Sequence, residues 1–125
     1  MPIHKIYNSG KMIYYIDHRT ETKEEILQTI EDFLDIITVS ENKVSILYDF
    51  RGVIVDGDIM KKLYFYGKEY VEKRTLKAGI LGVEGMKKLL LMAYISITNS
   101  KTITVFEGFE EAKKELFRTE LAEVG

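Results

Sequence analysis

The sequence predicts an α/β domain: a mixed, mostly parallel five-stranded sheet with four helices, in the order ββαβαβαβα. Three observations predict it. Residues 44–50 and 76–83 are short apolar runs, rich in β-branched and aromatic side chains in the first case, of the kind that strands buried on both faces carry. Other stretches repeat their apolar residues at helical spacing. Strand and helix patterns then alternate through three successive strand–helix–strand links, which join parallel strands by right-handed crossovers. With 125 residues, the chain fits a single domain over 1–125.

Taken in order, residues 3–7 and 12–16 flank Asn8-Ser9-Gly10-Lys11, a hairpin turn in which Gly10 is free to take positive φ. The first strand is therefore expected antiparallel at a sheet edge. Thr20 or Thr22 caps the next element, whose early glutamates suit a helix start. Ile26, Ile30, Phe33, Leu34 and Ile37 give that helix one apolar stripe. After the strand 44–50, Asp56 and Asp58 are two possible N-caps of a helix running to about Arg74, with Ile59, Leu63, Tyr66 and Tyr70 on one face. The strand 76–83 follows. Gly85 opens a third helix through Met86, Leu89, Leu90, Ala93 and Ile97. Residues 102–106 form a short last strand, and Gly108 precedes a helix that turns Phe109, Ala112 and Leu116 inward.

Composition narrows the function classes. There is no cysteine, which excludes disulfides, thiolate metal sites and a cysteine nucleophile. The net charge of -2 is spread with mixed sign, so nucleic acid is not an expected partner. No apolar run is long enough to span a bilayer, and residues 1–5 lack the apolar core of a signal peptide. The expectation is a cytoplasmic protein.

Residues 44–63, V-S-I-L-Y-D-F-R-G-V-I-V-D-G-D-I-M-K-K-L, resemble the signature of the STAS family, the anti-sigma-factor antagonists and sulphate-transporter tails (SpoIIAA-like proteins). Asp49 matches the acid that ends the strand, Val53-Ile54-Val55 the apolar segment, and Asp56 the acid of the turn that opens a helix. Phe106, Glu111, Ala112 and Leu116 match the family's closing strand and helix. The resemblance runs from about residue 11 to 117. It implies a STAS-like fold and a non-enzymatic regulatory or scaffold role through protein–protein contact. It places the partner surface at Asp56, Gly57, Asp58, Lys61 and Lys62. Members that switch by phosphorylation carry serine or threonine where this chain has Asp58, so that switch is not expected here. Asp58 reads most simply as a helix N-cap; the alternative is a permanent mimic of the phosphorylated side chain.

No catalytic centre is legible. No Ser-His-Asp order, nucleophile elbow, P-loop or G-x-G-x-x-G stands in the chain. His4 and His18 flank the hairpin strands and are expected near each other at one edge; a metal site there needs a third ligand such as Asp17 or Asp49. Isolated surface histidines are the plainer reading, and no metal or cofactor is expected. Asp49, Arg51, Asp56 and Asp58 are expected to cluster beyond a strand's carboxyl end, where α/β sheets bind ligands; caps and a local ion pair account for the same residues. Gly79, Gly82 and Gly85 either hold an anion or allow close packing. Tyr64, Phe65, Tyr66 and Tyr70 crowd one helix, and residues 89–95 are apolar on more than one face. That excess suggests a homodimer contact. It also motivates an alternative function, a carrier or sensor of a small apolar, lipid-like ligand in a pocket lined by Leu89, Met92, Ala93, Tyr66 and Tyr70.

Overall fold

The computed structural model describes residues 2–82 and 103–118. Strands β1 (Ile3–Asn8) and β2 (Lys11–Asp17) pair antiparallel. Their turn places Ser9 at φ 52° and Gly10 at φ 79°, two successive positive values that match the twist of a tight hairpin. Helix α1 (Lys23–Thr38) starts at Thr22 rather than Thr20. Thr22 Oγ1 accepts from the Glu25 N–H while Glu25 Oε1 accepts from the Thr22 N–H, so a capping box satisfies two donors at once.

Strand β3 (Val44–Asp49) follows, then helix α2 (Gly57–Tyr66), a π turn (Gly67–Val71), a single 3-10 turn (Glu72–Arg74) and strand β4 (Thr75–Leu81). Strand β5 (Ile103–Phe106) and helix α3 (Phe109–Phe117) close the described chain. The sheet order is β1-β2-β3-β4-β5; every pair after the first hairpin is parallel. The α/β class and the mixed five-stranded sheet are as the sequence predicts. There are three α-helices among the described residues. The helix expected from Gly85, with Leu89, Met92 and Ala93, lies outside them, as do Val83 and Thr102.

Alternation along the strands sorts the core onto two faces. Ile13, Leu47 and Leu81 pack with Phe106 under Ala112 and Leu116 of α3. Tyr14, Ile16 and Ile46 pack under Phe33 and Ile37 of α1, and Ile80 joins Ile26, Ile30 and Ile59 beneath α1 and α2. The long helix expected to reach Arg74 stops instead at Tyr66: the Gly67 N–H is shared by the carbonyls of Leu63 and Tyr64, and a π turn takes over from Gly67 to Val71. That wider turn re-phases the face: Val71 packs inward, and Tyr70, expected inside, is left exposed. Among the described residues no helix is long and apolar enough to cross a membrane.

Candidate functional site

The carboxyl ends of β2 and β3 gather the polar chemistry of the domain, on opposite faces of the sheet. On the α3 face Asp49 is inaccessible to solvent. Its Oδ2 accepts from the Tyr15 hydroxyl at 2.6 Å and from Arg51 Nη2 at 2.7 Å; its Oδ1 accepts from the Arg51 N–H at 3.1 Å and from Arg51 Nε at 3.0 Å. Arg19 grips Asp17 and comes within 3.5 Å of Asp49. Burial pushes the Asp49 carboxyl up, but the Arg51 and Tyr15 hydrogen bonds outweigh it and hold the group below its ordinary value. Burial and the bond to Asp49 push the Tyr15 phenol up to about 12. The site is thus a locked ionic network, with no proton poised to move at neutral pH.

On the other face His18, immediately past β2, is fully buried and stacked on Phe50, ring centroids 4.5 Å apart. Its Nδ1 lies 2.6 Å from Glu21 Oε1, and Thr29 donates its hydroxyl to the other oxygen of Glu21. A carboxylate only accepts, so Nδ1 carries the hydrogen and Nε2 presents a lone pair. Burial lowers the pKa of the ring against the pull of Glu21, which keeps it neutral near pH 7. Nε2 has no hydrogen-bond partner among the described residues. His18 is also among the residues around a partly open cavity of about 30 Å³, with Ile16, Phe33, Tyr48, Tyr66 and Val71 in its walls.

The α2 start is the third polar group. Asp56, not Asp58, is the N-cap: its Oδ1 accepts from the Ile59 N–H at 3.0 Å. Asp58 falls in the first turn because the helix begins one residue earlier, at Gly57, and its side chain leaves for solvent. Lys23 reaches across from α1 to bridge both acids, 2.8 Å from Asp56 and 2.7 Å from Asp58. Hydrogen bonding to Asp56 and Asp58 raises the Lys23 pKa, and Lys23 lowers that of Asp56. Lys62 lies 2.8 Å from Glu31, which also accepts from the Tyr66 hydroxyl. Of the five predicted contact residues, Gly57, Asp58 and Lys61 are exposed, whereas Asp56 and Lys62 brace α2 against α1.

Several expectations change. The predicted cluster of Asp49, Arg51, Asp56 and Asp58 is two ionic groups, one around Arg51 and one around Lys23. The two histidines are not neighbours at an edge: His4 stacks on Tyr15 in the hairpin, and His18 is a core residue rather than a surface one. No three metal-ligating side chains converge among the described residues. Packing accounts for two of the three glycines. A Cβ on Gly79 would stand 2.8 Å from the Phe106 ring, and one on Gly82, at φ 83°, 2.3 Å from the Arg51 nitrogen; Gly85 lies outside the described residues. Tyr66 lines the cavity, Tyr70 does not, and Leu89, Met92 and Ala93 lie outside the described residues. Of the residues lining the cavity, sequence reasoning named only Tyr66 as a pocket residue; His18, Thr29 and Tyr48 are the other polar side chains there, and it missed all three. The one signal for them is Thr29, a polar side chain within the apolar stripe of α1.

No protein-family model, curated protein or solved structure matches the chain.

Proposed function

We propose that this chain is a small, non-enzymatic, STAS-like regulatory domain that acts through protein–protein contact at the start of α2, without the phosphorylatable serine of that family. One observation carries the reading. Where the resemblance locates the partner surface, a capped helix begins and holds Gly57, Asp58 and Lys61 out in solvent. The Asp58 carboxylate is held in place by Lys23. Because Asp56 carries the cap, the helix start does not depend on Asp58, and Asp58→Lys, which leaves Lys23 its other acid Asp56, should keep that start intact while reversing the charge a partner meets. The test is affinity purification from the native cells with wild type and Asp58→Lys side by side. A partner recovered with wild type and lost with the variant supports the reading; identical recovery overturns the site.

A second reading, a carrier or sensor of a small apolar molecule, is favoured by the cavity beneath α1 and the π turn. Its size narrows that reading. A space of about 30 Å³ has room for only a few water-sized groups and lies far below the roughly 150 Å³ that encloses a benzene ring, which counts against a whole lipid chain inside it.

A further inference from the structure

We infer that Arg19 and Arg51, side by side beyond the carboxyl ends of β2 and β3, form a binding site for a singly charged oxyanion, the carboxylate or phosphate group of a small molecule. The pair belongs to a different ionic group from the partner surface at the start of α2, so the two readings stand or fall separately.

A repeated local motif builds the site. Asp17-His18-Arg19 follows β2 and Asp49-Phe50-Arg51 follows β3, and the parallel register sets Asp17 opposite Asp49. The two triplets fold alike. In each, the aspartate Oδ1 accepts the N–H of the arginine two residues on, a local turn that aspartate side chains favour. The arginine then folds back and donates Nε and Nη2 side-on to the same carboxylate, at 2.9 Å for both in the first triplet and at 3.0 and 2.7 Å in the second. The middle rings go to the other face, where His18 stacks on Phe50 at an interplanar angle of 17°. The two arginines are thereby brought together. Arg51 Nη2 lies 2.7 Å and Arg19 Nε 3.5 Å from one and the same oxygen, Asp49 Oδ2.

Each guanidinium keeps an edge to spare. It has five N–H donors, and the side-on grip uses the edge formed by Nε and Nη2. Among the described residues no carboxylate or carbonyl closes the end edge, Nη1 with Nη2, of either arginine; the Tyr15 hydroxyl is the remaining polar neighbour of Arg51. The side chains are 45% and 38% exposed, so both are reachable from solvent. Each is already held by its aspartate, so little rotamer freedom is lost when an anion arrives. Charge then narrows the ligand. Two aspartates and two arginines cancel, and the Tyr15 phenol is un-ionised at neutral pH. Paired donors rather than net charge must hold the anion, which favours a singly charged group with two oxygens over a point-like ion such as chloride. The carboxyl ends of parallel strands are also where α/β sheets bind ligands.

Acetate and dimethyl phosphate test the inference, since both carry one charge and two acceptor oxygens, and chloride is the control. The full-length chain, labelled with nitrogen-15 at arginine, is titrated with the sodium salt of each. The Nε–H signals of Arg19 and Arg51 are the readout, and Arg74 is the internal reference. The expected result is that both signals move together and saturate, with a dissociation constant on the order of 1 mM, while chloride leaves them in place. Saturation by acetate alone assigns a carboxylate ligand, by dimethyl phosphate alone a phosphate ligand, and by both an oxyanion site of either kind. Arg19→Gln removes one of the two forks and should weaken binding about tenfold; Arg19→Lys keeps the charge without the fork and should not restore it. If these variants do not fold, the two wild-type signals still decide. Response of only one arginine, shifts that chloride or Arg74 reproduces, unchanged affinity in Arg19→Gln, or no saturation by either probe at concentrations on the order of 10 mM overturns the site.

Discussion

Replacing Asp49 with alanine should cost about 3 kcal/mol of stability at neutral pH, and the structure allows that figure to be assembled. The carboxylate accepts from Tyr15 at 2.6 Å; a bond of this kind to a charged group contributes roughly 1.5–3 kcal/mol. It also accepts the Arg51 N–H, worth about 1 kcal/mol. The Arg51 guanidinium is 38% exposed, so water replaces most of what it loses, and its ion pair is discounted to below about 1 kcal/mol. The sum sits at the lower end of the roughly 3–5 kcal/mol seen when one partner of a buried pair is removed, because the charge left behind is half in solvent. Urea unfolding is the assay: the midpoint should fall by about 2 M for a slope near 1.5 kcal/mol/M, with the slope unchanged. Two further signs distinguish this network from general core damage. The Tyr15 phenol, held at about 12, should drop while staying above its ordinary 10.0, because burial, the larger cause, remains. The cost should also shrink in acid. Asp49 is held below its ordinary 3.8 in the folded state, so its contribution is complete above that pH and is lost as pH falls through the folded value. A loss under about 1 kcal/mol at pH 7, or one that persists undiminished in strong acid, would refute the reasoning.

Two other outcomes follow from close packing and burial. Gly82→Ala forces a Cβ to 2.3 Å from the Arg51 nitrogen at a φ of 83°, against backbone rather than a yielding side chain; the expected loss exceeds about 3 kcal/mol, and a variant that melts with wild type contradicts the geometry. His18 gives a separate pH limb. Burial depresses its folded pKa against the opposing pull of Glu21, Asp17 and Asp49, so the unfolded chain binds the proton more readily. Stability should therefore decline as pH falls from the ordinary 6.5 towards the folded value. His18→Gln should flatten that window in denaturation curves taken at several pH values; an unchanged slope would show that the ring is not the titrating group.

Among the described residues, the amino-acid pattern by itself determined the elements and their order. Alternation and apolar runs mark β2 and β3, helical spacing marks α1 and α3, and turn chemistry at Ser9-Gly10 and Thr22 marks where elements begin, because these signals act over a few neighbouring residues. Asp49 with Arg51 was legible for the same reason, being two residues apart. Only the tertiary structure decided which side chains from distant segments meet. Lys23 reaches Asp56 and Asp58 because α1 and α2 lie on one sheet face, and Tyr15 reaches Asp49 because β2 pairs with β3 in parallel register. The π turn at Gly67 is invisible to a 3.6-residue period, and it moved Tyr70 out and Val71 in. His18 is the sharpest case. A single histidine after a strand carries no local sign of burial, and it is buried only because Glu21, Thr29 and Phe50 close around the ring once the sheet and helix are assembled.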